Sequence, residues 1–547
     1  MTRDLDQLTA RTFDVLVVGG GIYGLTIAYD AAQRGLSVAL IEREDFGSGT
    51  SFNHLRTIHG GLRYLQTLDF PRARESVLER RVIATIAPHT VRPLPFALPL
   101  FRSITHGATA MRAGFMLDRL IAFDRNRGVV PSHRLPAGRV VSRDDAVERF
   151  PGLRQRGLTG AGVWYDYVAT EADRLTFSFA LAASQNGAVL ANHIAATALV
   201  VDGRRVVGVH ARDALEAREI EIAARVTVNA TGSGVDQLLQ PVGASTRIPM
   251  LTAMNLVTRR AAAEAALGGR SASGRYVFLV PWRGRALFGT WESARANEPH
   301  DTGASQADVA DVEPFIIALN EAFPSLDLTR DDVTLIHRGV VPAIAAGGRI
   351  ALEGHEQVLD HARDGPTKLD GLVSVVGAKY TTARRVAERV TDRLLAKLQQ
   401  RPVPCRTATT PLPGGSVRDL SMTIADARRD VHMDLPSDTI PHLVAAYGSR
   451  YREILAFCAD RPDLRMRLAD NSPVVGAELV WAARHEMAAT LADAFVRRTP
   501  LGALGYPGDA AVDRAADLVG GELGWSGERT RGEIDALRRF YSTVPSA

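Results

Sequence analysis

One stretch limits what this chain can fold into: DVLVVGGGIYGLTIAYDAAQRGLSVALIE, residues 14–42. Residues 15–18 are a β-branched apolar run of the kind that makes a strand buried on both faces. Gly19, Gly21 and Gly24 follow in G-x-G-x-x-G register. Gly19 serves the tight turn, Gly21 lets backbone approach a pyrophosphate, and Gly24 lets helix pack on strand. Residues 25–34 are alanine-rich with apolar side chains at helical spacing. The N-terminus of that helix would turn unpaired N–H groups and the positive dipole end toward phosphate. Gly35 stops the helix, residues 37–41 make a second strand, and Glu42 closes it. An acid about 20 residues beyond the glycines is where a ribose hydroxyl is held. Strand, glycines, helix, strand and acid in one unit predict the opening of a dinucleotide-binding fold, which the glycines alone would not.

At 547 residues the chain is too long for one core and divides into two or three domains. A hydrophobic share of 46% and a charged share of 23% are those of a soluble globular protein. The 65 basic and 61 acidic residues leave a net charge of +4 with no long basic run, so nothing points to nucleic acid as a partner. Cys405 and Cys458 stand far apart, which excludes a disulfide framework and a cysteine metal site and makes a reducing cytosol the natural setting. The opening MTRDLDQLTARTFD is polar and acidic, unlike a secretory signal. No stretch approaches the ~18 uninterrupted apolar residues of a spanning helix. Residues 111–127, MRAGFMLDRLIAFDRNR, set apolar side chains and arginines on a helical period. Packing against its own domain is the simpler reading of that helix, and lying on a membrane surface is the alternative.

Further along, residues 47–51 form a small, hydroxyl-rich loop able to wrap a ligand with backbone amides. His59-Gly60-Gly61-Leu62-Arg63-Tyr64 then packs an imidazole, two glycines, a guanidinium and a phenol into six residues. The glycines would allow close approach to a flat ring, and Arg63 offers a fixed fork for an anion. Residues 72–86 read as a charged amphipathic helix. Pro93, Pro95 and Pro99 mark an extended connection, followed by a helical excursion to about residue 155. Residues 189–201 and 206–211 alternate as strands around the Asp202-Gly203 turn. A strand at 226–229 ends in Ala230-Thr231-Gly232, small residues that let chain pass close to a cofactor. Near the end of this part, LVSVV runs into Gly377-Ala378-Lys379-Tyr380-Thr381-Thr382 and an amphipathic helix that the threonines could cap. Residues 402–415 are rich in proline and glycine, a linker, and residues 416–547 are helical by pattern. His485, Glu486 and Asp493 read there as charges on an exposed helix face, since H-E-M-A-A lacks the second histidine of a zinc site. No metal site is expected.

These segments resemble the FAD-dependent glycerol-3-phosphate dehydrogenases, a family within the D-amino-acid-oxidase-like flavoproteins. The resemblance rests on residues 14–42, on TSFNHLRTIHGGLRYL, on the second fingerprint at Ala230–Gly232, on VFLVPW…LFGTWES and on Gly377–Thr382. It covers nearly the whole chain in order. It implies an α/β fold with a two-dinucleotide-binding-type FAD domain (1–90, 156–240 and 334–400). A mixed-sheet substrate domain (91–155 and 241–333), a linker (401–415) and an all-α C-terminal domain (416–547) complete it. The implied cofactor set is Gly19, Gly21, Gly24, Glu42, Arg43, Thr50, Ser51, Ala195, Ala230, Thr231, Gly232, Gly377, Lys379, Thr381 and Thr382. His59, Gly60, Gly61 and Leu62 would line the isoalloxazine. Arg63 and Tyr64 would reach the substrate, and Lys379 would stabilise negative charge on the flavin or the substrate oxygen, beside a helix N-terminus. The implied reaction is oxidation of sn-glycerol 3-phosphate to dihydroxyacetone phosphate by hydride transfer to flavin N5. A small anionic, phosphorylated substrate and a quinone or O2 as electron acceptor go with it. So does a cytoplasmic enzyme, with association at the inner face of the cell membrane and a homodimer left open.

The departures from the family pattern fall at the substrate end. A Gly-Val-Arg-Pro segment is here Gly339-Val340-Val341-Pro342, a Lys-Gly-Ser-His segment is Thr252-Ala253-Met254-Asn255, and a Gly-Thr-Thr-Asp turn is Gly289-Thr290-Trp291-Glu292. Asn255 thus stands in a catalytic position in place of a histidine suited to proton transfer. Losing a bidentate arginine removes a contact worth roughly 1.5–3 kcal/mol, which His337 or Arg338 would restore only if the backbone turned them inward. Two alternatives remain. One is an oxidoreductase of the same family acting on another polyol phosphate, hydroxy or amino compound. The other is a flavin-binding protein without turnover, which the retained Arg63, Tyr64 and Lys379 argue against.

Overall fold

The β-branched runs assemble into a largely parallel sheet because each has two apolar faces to bury. Its path runs Gln357–Asp360, Leu372–Val376, Glu219–Asn229, Phe13–Val18, Val38–Ile41, Val189–Ala191. All neighbours are parallel except the first pair. The computed structural model describes residues 1–103, 107–293, 296, 309–346, 349–365, 367–417 and 419–542. Residues 294, 295 and 297–308 of the expected substrate domain lie outside them. Ile194–Asp202 and Arg205–Asp213 form a hairpin across the Gly203-Arg204 turn and continue onto Glu219–Asn229. Phe13–Val18 is flanked by the strand that follows it directly and by one that arrives two hundred residues later. That reversal opens a crevice at the carboxyl ends of the strands, where such sheets bind ligands. The helices Ile22–Gln33, Ala172–Gln185 and Ala383–Lys397 cover one face.

The second sheet runs Arg349–Leu352, Val333–Ala346, Met250–Ala261, Arg285–Glu292, Tyr276–Trp282, Ala266–Arg270, Val91–Leu100, Gly160–Ala169, Thr57–Ile58, with Arg139–Val141 on its side. Val91–Leu100 is a ten-residue strand where three prolines suggested a mere connection. Pro93, Pro95 and Pro99 occupy alternate positions, so their missing N–H groups fall on one edge and the other edge pairs with Gly160–Ala169 throughout. Helices Ala108–Ile121 and Arg143–Arg149 make up the rest of the excursion. Gly160–Ala169 and Val333–Ala346, read from sequence with the cofactor segments, are strands of this second sheet because their long partners lie there.

Helices Leu420–Asp430, Thr439–Tyr447, Tyr451–Asp460, Gly476–His485, Asp509–Leu523 and Gly527–Ser542 form the C-terminal layer. Leu479, Leu491, Phe495 and Leu537 share one core with Phe52, Trp282 and Leu335, so this layer is packed onto the second sheet. Glu486 and Asp493 are not on an exposed face, as the sequence suggested. Glu486 is buried against Arg174, and Asp493 against His193. Arg498 is buried against Asp45. Charges in such surroundings persist only when paired, and the partners stand some three hundred residues or more away in the chain. Residues 401–415 have no regular structure but are not a free linker. Leu412 joins the cofactor-side core and its N–H donates to the Ile86 carbonyl at 2.9 Å. Thr407 is fully buried and accepts from Arg384.

The helix Ala108–Ile121 buries Phe115 alone. Met116, Leu120 and, just beyond it, Phe123 are 71%, 73% and 79% exposed, whereas Met111 packs over Gly162 of the second sheet, so the helix packs on its own domain along one side and leaves apolar side chains bare on the other. Among the described residues no helix is long and apolar enough to cross a membrane.

Candidate active site

The turn after Phe13–Val18 works as its glycines predict. Gly19 has φ +107°, and a β-carbon there would stand 2.6 Å from the Ala230 carbonyl. A β-carbon on Gly24 would lie 1.8 Å from the Gly19 carbonyl, so helix and strand meet only because it has none. The Ala230 N–H donates to the Val18 carbonyl at 2.9 Å, which brings the two fingerprints side by side. The Glu42 carboxylate is half-buried and accepts from the N–H groups of Gly20 (2.6 Å) and Glu44 (2.9 Å). Burial raises its pKa against those bonds. Ser51 Oγ accepts the Ile22 N–H at 2.9 Å, so one amide of the helix N-terminus is met by the protein itself.

A cavity of about 410 Å³ runs from this turn to the end of Leu372–Val376, within the range of small-molecule and cofactor sites. Of the expected residues, Gly19, Gly21, Glu42, Arg43, Thr50, Ser51, Ala195, Ala230, Thr231, Gly232, Gly377 and Lys379 line it. Tyr23, His54, Thr197, Gln237 and Tyr380 line it as well, unforeseen. His54 stacks on Tyr380 with ring centroids 4.6 Å apart and planes 15° off parallel. Its Nδ1 accepts the Arg56 N–H at 3.1 Å. A backbone N–H can only donate, so the ring proton is on Nε2, and Nε2 is buried with no protein partner. Burial, then the Arg56 and His59 charges, holds this imidazole neutral, well below its ordinary pKa.

His59, Gly60, Gly61, Leu62, Arg63 and Tyr64 are outside the lining. The two glycines make room for protein rather than for a flat ring. A β-carbon on Gly60 would meet Arg80 Nη1 at 2.1 Å, and one on Gly61 would meet Ser76 Cβ at 2.8 Å. Arg63 is exposed. The His59 N–H donates to Thr381 Oγ1 at 3.2 Å, next to the cavity-wall residue Tyr380. Its Nδ1 is 3.4 Å from Asp166 Oδ2. Asp166 is buried and also accepts from the Gly60 N–H at 2.7 Å, from Trp164 Nε1 at 3.3 Å and from Arg80. Burial opposes its charge, but Arg80 and His59 hold its pKa below the usual carboxylate value. The only sign of Asp166 in the sequence is an acid among the aromatic residues of WYDYV.

Thr382 is the N-cap of Ala383–Lys397 yet makes no side-chain cap hydrogen bond, and its neighbour Thr381 accepts the His59 N–H. Thr382 Oγ1 is buried without a partner. Lys379 Nζ is likewise buried without a hydrogen-bond partner and sits 4.0 Å from the Tyr64 ring centroid. Burial first, and Arg72 second, lowers its pKa from 10.5 to about 8.

Asn255 is 2% exposed and fully engaged. Its Nδ2 donates to the Asn53 carbonyl at 3.1 Å, and its Oδ1 accepts from Thr290 Oγ1 at 3.0 Å. His337 is not turned inward. It packs against Phe52, ring centroids 5.0 Å apart, under the C-terminal layer. Neither His337 nor Arg338 lines the cavity. Val341 packs with Leu251 and Ala343, with Ala378 against them. Among the described residues no group of three His, Cys, Asp or Glu side chains could hold a metal ion.

A family model described as "FAD dependent oxidoreductase" matches residues 14–393, and one described as "C-terminal domain of alpha-glycerophosphate oxidase" matches 405–530. A glycerol-3-phosphate dehydrogenase of Synechocystis sp. is 30% identical over 558 aligned positions, covering 98% of both chains. One of Mycobacterium leprae is 31% identical, covering 97% of this chain and 88% of its own. The solved glycerol-3-phosphate dehydrogenase of Bacillus halodurans complexed with FAD has the same fold, with a TM-score of 0.74 at 24% identity over 98% of this chain and 96% of that one.

Proposed function

We propose that the chain, which belongs to the FAD-dependent glycerol-3-phosphate dehydrogenase family, oxidises the secondary alcohol of sn-glycerol 3-phosphate to the ketone of dihydroxyacetone phosphate. The observation that carries this reading is Lys379, a buried ammonium without a hydrogen-bond partner at the cavity wall. An unpartnered buried cation is costly until a ligand completes it.

The residues present fit FAD. The Gly19–Gly21 turn would take the pyrophosphate, and the remaining lone pairs of Glu42 the ribose hydroxyls. His54 and Lys379, both in the cavity wall, each bring a buried polar atom that no protein group satisfies. Bound FAD supplies the two-electron oxidant that accepts hydride from the alcohol carbon. The chain's own groups prepare the alcohol. Lys379 stabilises negative charge as the hydroxyl loses its proton. We assign His59 as the proton acceptor, because Asp166 fixes its Nδ1 side and leaves Nε2 to accept. Arg80 and Trp164 hold Asp166 in turn.

Asn255 and Val341 favour a second reading, oxidation of another polyol phosphate, hydroxy or amino compound, since neither brings a charge to the pocket. Dye-coupled turnover with product analysis separates the two. Under the first reading glycerol 3-phosphate is the best substrate of a panel and Asp166→Asn lowers kcat by about 10²-fold or more. Turnover of another alcohol or amine with none of glycerol 3-phosphate would establish the second, and unchanged kcat in Asp166→Asn would remove the His59–Asp166 pair from catalysis.

A further inference from the structure

Phe123 and Leu120 are the most exposed large apolar side chains of the described residues, and Met116 equals Met466 just behind them. The three follow one another at helical spacing, so they share one side of Ala108–Ile121 and the turn beyond it. Arg112 and Arg119 fall on that side as well, one turn before Met116 and one turn after it, and Arg127 comes in the turn that follows. All three arginines are exposed, and none forms an ion pair among the described residues. The acids of this segment are spent elsewhere. Asp118 pairs with Arg125 at 3.0 Å, and Asp124 with Arg74 and Arg81. The exposed side of residues 108–128 is thus apolar and basic with no acid on it.

The helix cannot turn this stripe inward, because its other side is taken. A β-carbon on Gly138 would stand 2.4 Å from the buried Phe115 ring, and one on Gly162 would stand 2.9 Å from Met111 Cγ. Arg74 fixes the C-terminal end, its Nη1 donating to the Ile121 carbonyl at 2.8 Å, and its guanidinium lies 5.0 Å from the Phe123 ring centroid. Phe70, one turn before Arg74 on the helix Phe70–Ile86, is exposed too and extends the apolar surface on that side.

A bare apolar stripe of this kind marks a contact surface. A second copy of the chain suits it poorly. A two-fold contact sets a patch against itself, so the arginines would crowd their own counterparts, like charge against like. An anionic bilayer meets both features at once. Its headgroups take the guanidinium groups, and the headgroup–acyl boundary takes the apolar side chains.

We propose that Met116, Leu120 and Phe123, rimmed by Arg112, Arg119 and Arg127, form a docking face that lies in the headgroup layer of an anionic membrane. None of these residues lines the cavity, so the face stands whichever substrate the cavity takes.

Co-sedimentation of the FAD-loaded full-length protein with vesicles tests it, beside dye-coupled turnover without vesicles. The wild type should bind vesicles of mixed phosphatidylcholine and phosphatidylglycerol, bind phosphatidylcholine alone far more weakly, and release as salt is raised. Leu120→Ser with Phe123→Ser should lower the partition onto mixed vesicles about tenfold or more. Arg112→Ser with Arg119→Ser should do so about tenfold as well. Both double variants should keep wild-type turnover without vesicles, since they change exposed side chains away from the cavity. No binding of the wild type to mixed vesicles, or unchanged binding in Leu120→Ser with Phe123→Ser, would overturn the docking face. Equal binding to phosphatidylcholine alone would overturn the anionic surface as its partner. A dimer in light scattering that Leu120→Ser with Phe123→Ser dissociates, without vesicle binding, would give the stripe to a second copy and overturn the membrane.

Discussion

Lys379, in the cavity wall, is the residue on which a pH dependence of the proposed reaction should turn. Its pKa, lowered by burial and by Arg72 to about 8, puts the loss of its charge just above neutrality. Burial raises the pKa of Tyr64, whose ring faces the Lys379 ammonium, so the phenol does not share that step. The half-saturating concentration of an anionic substrate should therefore climb as pH rises through about 8, and Lys379→Met should flatten that climb in a pH series of KM. The stability effect has the opposite sign. An ammonium easier to deprotonate folded than unfolded costs stability below about 8, and that cost is relieved between about 8 and 10.5.

At the scale of elements, the segment 44–59 is held from both sides. Asp45 is clamped by Arg498 of the C-terminal layer, and Asn53 is tied to Asn255 of the second sheet. Thr50 and Ser51 of the cavity wall lie between these anchors, and His54 directly follows the second. Arg498→Met should cost about 3–5 kcal/mol by leaving Asp45 buried and unpaired, and Arg498→Met with Asp45→Leu should recover most of it, as read from urea-unfolding midpoints. The first βαβ unit was legible because its signal is local: β-branched strand, glycines and acid lie within thirty residues, with Gly24 packed on Gly19 and Gly19 on the adjoining fingerprint at Ala230. The turn at His59–Tyr64 was legible as a motif but not in its geometry, since Arg80 and Ser76, which occupy the space above its glycines, sit on the following helix. Asp166, His54 and the Arg498–Asp45 pair were not legible as site or lock. Their meaning depends on partners that only the tertiary fold supplies.

Over the whole molecule, a parallel sheet holds the cavity, a second sheet closes over its far end, and a helical layer packs onto that second sheet. Composition and hydrophobic period gave the sequence of elements, and the resemblance gave their grouping. Neither foresaw that Gly160–Ala169 and Val333–Ala346 join the second sheet, because strand pairing over long separations is decided by the partner strand and not by local pattern. The two small-residue fingerprints of the cofactor end lie side by side, while Val341, where the family pattern has an arginine, packs with Leu251 and Ala343. The most direct test is anaerobic mixing of the FAD-loaded protein with glycerol 3-phosphate, followed by flavin absorbance. Bleaching at sub-millimolar substrate, with one dihydroxyacetone phosphate formed per flavin, is the predicted result; a flavin that stays oxidised under glycerol 3-phosphate while another alcohol or amine bleaches it would contradict the proposed activity.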